Sequence, residues 1–129
     1  MLCSLFGCSA QTEGFKSLTV KEYAKAIEDT AIVRLDVRTA EEYAEGHIAK
    51  TLKYAEGHIA KTLNIDVLKN DFKSKAVAML PKGHTIAVNC RSGKRSKNAA
   101  RILVKNGFKV IELDGGFNDW VGNRMPVTR

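Results

Sequence analysis

Short apolar segments rich in β-branched residues alternate with amphipathic segments along most of this 129-residue chain. The apolar segments have the length and composition of buried strands: AIVRLDV (31–37), LNIDVL (63–68), HTIAVN (84–89) and FKVIEL (108–113). The amphipathic segments predict helices: LTVKEYAKAIED (18–29), TAEEYAEG (39–46), DFKSKAVAML (71–80), SKNAARILVKNG (96–107) and DGGFNDW (114–120). Helices between short buried strands imply parallel pairing, so we expect an α/β fold whose parallel sheet has helices on both faces.

Start and stop signals support the helix assignments. Thr19 and Glu22 have the spacing of a capping box, in which each side chain binds a backbone N–H group of the first turn, and Thr39 and Glu42 repeat that spacing. Pro81 ends the third helical segment and Gly107 ends the fourth, as such residues commonly do.

One segment of the chain occurs twice. Tyr43–Leu52 recur letter for letter as Tyr54–Leu63, and removing eleven residues leaves the unbroken pattern DVRTAEEYAEGHIAKTLNIDV. A solenoid needs at least about three repeats, so one unit is surplus to the fold. We expect Tyr43–Ile48 to keep the native place, with a largely helical surplus around Ala49–Ile59 that leaves the Cys90 loop intact. Thr39 caps the first copy directly, which favours its native place, and the helical spacing of Ala44, Ile48, Leu52, Ala55 and Ile59 favours a helical surplus.

The length suits one domain, expected over residues 15–129 and including the repeated segment 43–64. The net charge of +7 would suit nucleic acid, an anionic surface or a small anionic substrate. No zinc-finger spacing or aromatic RNA-binding signature is present, so we expect no nucleic-acid partner. Most of the lysines are interpreted as solvated charge, but one tight cluster stands apart: Arg91, Lys94, Arg95 and Lys97.

The three cysteines, Cys3, Cys8 and Cys90, cannot form a disulfide framework. Cys8 ends LFGC, which resembles the end of a bacterial lipoprotein signal that lacks its basic start and full apolar core. Residues 1–14 are therefore either a truncated signal, from a periplasmic or membrane-anchored parent, or a flexible tail. No apolar run reaches the ~18 residues of a membrane span, so we expect the chain as given to be soluble.

The segment CRSGKRS (90–96) follows the most apolar predicted strand and leads into a helix. A tight turn points backbone N–H groups inward as an anion-binding nest, and the helix start adds a positive dipole end. Gly93 permits unusual backbone angles, while Arg91, Lys94 and Arg95 add full charges. These features favour a thiolate at Cys90, and the thiolate is the nucleophilic form. An inert buried cysteine would be expected among apolar neighbours instead.

The chain resembles a single-domain rhodanese, a thiosulfate sulfurtransferase, in three motifs that occur in the family's order. They are LDVRTAEEYAEGHI, the strand and loop TIAVNCRSGKRS with its following helix, and LDGGFNDW. The likeness covers roughly Phe15–Met125 and implies the rhodanese-like parallel sheet.

The resemblance also implies a mechanism. Cys90 attacks the outer sulfur of thiosulfate or a similar small anion, sulfite leaves, and a Cys90 persulfide passes its sulfur to a thiol or cyanide acceptor. Covalent catalysis of this kind needs a preformed thiolate and not a general base. His47, His58 and His84 are therefore interpreted as structural, and no metal or organic cofactor is expected. The persulfide is expected to be held by the N–H groups of Arg91, Ser92, Gly93, Lys94, Arg95 and Ser96.

Asp36 and Arg38, in LDVR, end a strand on the same side of the sheet as Cys90, which favours supporting roles. We expect Asp36 to pair with Arg95, and Arg38 to pair with Glu42. Ordinary surface ion pairs are the alternative interpretation of these residues.

Three other functions compete with thiosulfate sulfurtransferase. A phosphatase or arsenate reductase on the same fold has five residues between cysteine and arginine, whereas Cys90 and Arg95 have four between them. A catalytically silent binding module tends to lack the cysteine or the glycine, and both are present here. A sulfur-relay subunit serving a protein partner would have the same loop chemistry, so this alternative stays open, as does the oligomeric state.

Overall fold

The computed structural model describes residues 14–49 and 62–129. The strands in these ranges are β1 Phe15–Leu18, β2 Val33–Asp36, β3 His47–Ile48, β4 Thr62–Asn64, β5 Thr85–Asn89, β6 Lys109–Leu113 and β7 Val127–Thr128. The helices are α1 Val20–Ala26, α2 Ala40–Glu45, α3 Phe72–Met79, α4 Lys94–Lys105 and α5 Gly116–Gly122. None of these helices is long and apolar enough to cross a membrane.

Five strands form the central sheet in the order β1-β6-β5-β2-β4. Each neighbouring pair is parallel, which confirms the predicted α/β architecture. β5 is the middle strand of the sheet, and its carboxyl end is where functional groups gather in open parallel sheets. Cys90 follows β5 directly, so the topology places it at the centre of that edge.

The side chains of each strand alternate between two hydrophobic cores. Ile86 and Val88 of β5 contribute to one core with residues of α3 and α4. Ala87 contributes to the other core with Tyr23 of α1 and Trp120 of α5. The Tyr23 and Trp120 rings meet edge to face with centroids 6.3 Å apart, a favoured aromatic geometry. The sheet is thus covered on both faces, and α4 and α5 begin next to Cys90.

The helix that enters the repeated segment, α2, is shorter than the apolar spacing of that segment predicts. α2 ends at Glu45 with Gly46 as its C-cap, and Ile48 belongs to β3, which pairs antiparallel with β7. The prediction that the helical stripe includes Ile48 is therefore wrong. The reason is long-range pairing: Ile48 lies opposite Val127, and periodicity within one segment carries no information about such a partner.

Buried Arg34 joins the two ends of the described chain that flank residues 50–61. Its guanidinium donates one hydrogen bond to the Ala49 carbonyl (2.9 Å) and another to the Thr62 hydroxyl (2.7 Å). The first copy of the repeat, up to Ala49, forms the end of α2 and β3, whereas Thr62 and Leu63 of the second copy lie in β4. Apart from Ala49, the predicted surplus and its helical content lie outside the described residues.

Candidate active site

Cys90 is completely buried at the carboxyl end of β5. Its Sγ accepts a hydrogen bond from the backbone N–H of Gly93 at 3.0 Å. The Ser96 hydroxyl lies 3.4 Å from the same sulfur. The loop therefore folds back over its own cysteine, and a backbone donor faces the atom that the sequence predicts to be the nucleophile.

Gly93 has a conformation and a position that exclude a side chain. Its φ is +103°, in the left-handed region, and a Cβ at this position would overlap the carbonyl oxygen of Asp114. α4 begins at the next residue, so the glycine turns the chain directly from the loop into the helix. This turn aims the Gly93 N–H group at the sulfur, as the nest interpretation of the sequence expects.

The segment after β6 holds the backbone of the Cys90 loop by hydrogen bonds. The N–H group of Phe117 donates to the carbonyl of Cys90 (2.7 Å), and that of Asn118 donates to the carbonyl of Arg91 (2.9 Å). Gly116 has a φ of +66°, and a Cβ there would overlap the Arg91 carbonyl group. The start of α5 thus fixes the backbone on either side of the Cys90–Arg91 bond.

The two loop arginines share one carboxylate from α2. Arg95 forms two hydrogen bonds with Glu42, from Nη1 to Oε1 (2.8 Å) and from Nη2 to Oε2 (3.0 Å). Arg91 donates from Nε to Oε2 of the same side chain at 2.9 Å. The expected pairing of Asp36 with Arg95, and of Arg38 with Glu42, is therefore wrong: Glu42 reaches over the loop because α2 starts at the same edge of the sheet.

These contacts shift the ionisation of both partners. The hydrogen bonds from Arg95, from the Thr39 N–H group and from Arg91 hold the pKa of the Glu42 carboxyl well below its usual range, against the opposing effect of partial burial. The hydrogen bond to Glu42 raises the pKa of Arg95, and the charge of the nearby Cys90 acts in the same direction. Arg95 is therefore electrostatically coupled to the sulfur as well as to Glu42.

Asp36 and Arg38 form a buried pair with each other. Arg38 Nη2 lies 2.8 Å from Asp36 Oδ2, and its Nε donates to Oδ1 at 2.9 Å. Nη2 also donates to the carbonyl of Gly46 at 2.8 Å, and the guanidinium stacks over the Phe117 ring at 4.3 Å. The pair therefore ties β2, the end of α2 and the start of α5 together beneath the loop, without reaching Cys90.

Glu112 of β6 is a completely buried carboxylate that the sequence analysis did not identify. It accepts hydrogen bonds from the hydroxyls of Ser17 (2.6 Å) and Ser96 (2.5 Å), and Lys97 Nζ lies 3.3 Å away. Ser96 thus stands between this carboxylate and the Cys90 sulfur. The sequence held no periodic signal for this group, because Ser17, Ser96 and Glu112 meet only through strand pairing and helix packing.

The remaining predicted residues contribute differently. Ser92 is exposed on the loop, and Lys94 is exposed at the first residue of α4. His47 contacts the Tyr43 carbonyl and stacks on its ring, and His84 contacts the Ala31 carbonyl. Within residues 14–49 and 62–129, no group of three or more His, Cys, Asp or Glu residues could hold a metal ion. Cys3, Cys8 and His58 lie outside the described residues.

Comparisons with known proteins identify the family and agree with the fold. The family model described as a rhodanese-like domain matches residues 19–123. Thiosulfate sulfurtransferase 18 of Arabidopsis thaliana is 29% identical over 92% of this chain and 88% of its own length. Rhodanese-like domain-containing protein 17 of the same plant is 30% identical over 81% of this chain and 67% of its own. The crystal structure of a rhodanese-related protein from Thermoplasma volcanium superimposes with a TM-score of 0.70 at 26% identity, over 88% of this chain and 97% of that one.

Proposed function

Because this chain belongs to the rhodanese-like domain family, we propose that it moves the outer sulfur of thiosulfate, or of a related donor, through a Cys90 persulfide to a thiol or cyanide acceptor. The family and its relatives named as sulfurtransferases support the general class. The donor and the covalent intermediate are our proposal.

The observation that carries the proposal is the environment of Cys90 Sγ. The buried sulfur receives the Gly93 N–H group and lies in a loop whose two arginines are held by Glu42. A backbone donor and nearby cations stabilise an anionic sulfur. An anion is present both before transfer, as the thiolate, and after it, as the terminal sulfur of the persulfide.

Transfer takes place in two displacements. The thiolate of Cys90, its proton released to solvent, attacks the outer sulfur of thiosulfate; a bond forms from Sγ to that sulfur, and the sulfur–sulfur bond of the donor breaks. Sulfite leaves with the electron pair. An acceptor thiolate or cyanide then attacks the terminal sulfur of the persulfide, and Sγ leaves as the thiolate, which restores the starting state. No oxidant or reductant is consumed.

Mass spectrometry after thiosulfate treatment tests the proposal. We expect one added sulfur on the peptide containing Cys90, and complete loss of transfer in Cys90→Ser, because a serine hydroxyl is not ionised at neutral pH. Cys8→Ser is the matched control and should retain full activity. Sulfur found only on Cys3 or Cys8, or an active Cys90→Ser chain, would contradict the assignment.

The acceptor is identified in a second step. The persulfide form is offered to cyanide, to small thiols and to thiol-bearing proteins, and loss of the added sulfur is followed for each. Fast transfer to small acceptors indicates an enzyme of small-molecule sulfur metabolism, whereas transfer restricted to a protein thiol indicates a relay subunit.

A further inference from the structure

Glu42 forms ion pairs with Arg91 and Arg95, the two guanidinium groups beside Cys90 that could bind an anion. Resting on the proposed function, we propose that Glu42 is a specificity-determining residue, an internal competitor that the oxyanion end of the sulfur donor must displace from Arg91. The ligand class is a sulfonate- or sulfate-like group.

The two arginines are held unequally. Arg95 has two hydrogen bonds to Glu42, in the parallel geometry of a strong guanidinium–carboxylate pair. Arg91 has one, through Nε. The Arg91 side chain is 46% exposed, against 23% for Arg95. Arg91 is therefore the partner that an incoming anion reaches first and displaces at the lower cost, while Arg95 stays with Glu42.

Glu42 is itself held in place on the side away from the loop. Its Oε1 accepts the Thr39 N–H group at 2.9 Å, and its own N–H group donates to the Thr39 hydroxyl at 3.1 Å. Because the capping box fixes the carboxylate, Glu42 does not follow Arg91 when that side chain turns toward a ligand. Displacement leaves Glu42 bound to Arg95 and to its cap, so no buried charge is left alone.

The consequence is a threshold for anion binding. An anion that binds Arg91 breaks the Arg91–Glu42 ion pair. Its own interaction with Arg91 must therefore be stronger than that pair for binding to be favourable. Weakly held anions such as chloride do not meet that cost, whereas an oxyanion with several acceptor oxygens and two charges does, since its attraction to the loop cations is greater. Glu42 thereby keeps the site available to the donor in the presence of common anions.

The experiment measures sulfate binding by calorimetry in the Cys90→Ser background, where no sulfur can be transferred. Glu42→Gln removes the charge and keeps the cap, because glutamine serves at this capping position. We expect the sulfate Kd to fall about fivefold, the equivalent of a partly exposed ion pair. Glu41→Gln, the same charge change on the exposed neighbouring residue, should alter it by less than about twofold.

Arg91→Ala, alone and together with Glu42→Gln, completes a double-mutant cycle. We expect it to weaken sulfate binding, and we expect Glu42→Gln to have less than about a twofold effect once Arg91 is absent. In chains that keep Cys90, Glu42→Gln should lower the KM for thiosulfate and make turnover sensitive to chloride.

An unchanged or higher sulfate Kd in Glu42→Gln, or an equal gain in Glu41→Gln, would overturn the inference while sulfur transfer itself could stand. If the wild-type chain transfers no sulfur from thiosulfate but the sulfate cycle behaves as expected, the proposed function fails and the role of Glu42 stands. Thermal unfolding of each variant establishes that it is folded under the conditions of the titration.

Discussion

At the scale of single residues, Gly93 combines two requirements that are usually separate. Its backbone is in the left-handed region, and the Asp114 carbonyl lies where a side chain would start. Gly83 shares the first requirement only, since its φ is +84° and nothing lies within 4 Å of its Cβ position. The chain therefore contains its own control for separating backbone strain from close contact.

Gly83→Ala is expected to destabilise the protein by about 1 kcal/mol, the cost of a left-handed alanine. Gly93→Ala should cost an additional ~1–3 kcal/mol, because the loop must move away from Asp114, and sulfur transfer should be lost as the Gly93 N–H group leaves the sulfur. Urea unfolding and transfer rates measure both effects. Equal losses of stability in the two variants would show that Asp114 yields to the new methyl group.

The position of Cys90 and Gly93 between a central strand and a helix was predictable, but the partners of the charged residues were not. The neighbouring residues in the sequence define the strand end, the turn and the helix start around Cys90 and Gly93. The pairing of Asp36, Arg38, Glu42 and Arg95 was predicted the wrong way round, since the choice depends on how far α2 reaches over the loop. Glu112 was missed because a buried carboxylate looks in sequence like any polar residue of a strand.

At the scale of elements, α1 and α2 begin with the same capping box, but their side chains contribute to different parts of the molecule. Both capping boxes are complete in the structure. α1 supplies core residues to one face of the sheet, whereas α2 supplies the carboxylate that holds Arg91 and Arg95. The two caps are therefore expected to contribute equally to the free energy of unfolding, but only the cap of α2 positions a side chain of the candidate active site.

Thr19→Ala and Thr39→Ala should each destabilise the protein by about 1 kcal/mol, the usual cost of an N-cap. Only Thr39→Ala is expected to lower the KM for thiosulfate, because loss of the Thr39 hydroxyl loosens the turn that positions Glu42. Parallel measurements of unfolding and kinetics test this pair. An equal change of KM in both variants would show that the effect is not transmitted through Glu42.

The elements themselves were predictable where local sequence determines them. Alternating strand and helix patterns led to the parallel sheet, and capping boxes located the starts of α1 and α2. β1, β3 and β7 were not predicted. They are short, of two to four residues, and they exist because distant strands pair with them, so periodicity over a few residues could not reveal them.

At the scale of the whole molecule, the described chain on either side of residues 50–61 is joined at the Arg34 side chain, which marks the junction between the repeat and the domain. Arg34 binds Ala49 on one side and Thr62 on the other, and one residue between these two would restore the unrepeated pattern. β3 and β4, which flank the junction, belong to different sheets.

Deletion of residues 50–60 leaves Ala49 followed by Lys61 and Thr62. We expect the shortened chain to transfer sulfur at the rate of the full chain, because each side chain described at the site keeps its neighbours. Transfer rates, with hydrogen exchange over residues 39–49, provide the measurement. A large difference in rate, or fast exchange at Ala40–Gly46 in the full chain alone, would show that the second copy competes for the place of the first.

The burial of Cys90 has a consequence for its resistance to oxidative damage. A thiolate is the form that peroxides attack, and susceptibility rises with exposure; yet this sulfur has no solvent-accessible surface. Burial therefore limits oxidation of the resting cysteine to the moments at which the surrounding backbone opens, and the sulfur donor must enter through the same opening. Loading moves the reactive atom outward by one sulfur–sulfur bond, roughly 2 Å. An acceptor then meets the carried sulfur, and Sγ, bonded to that sulfur, is no longer a free thiolate.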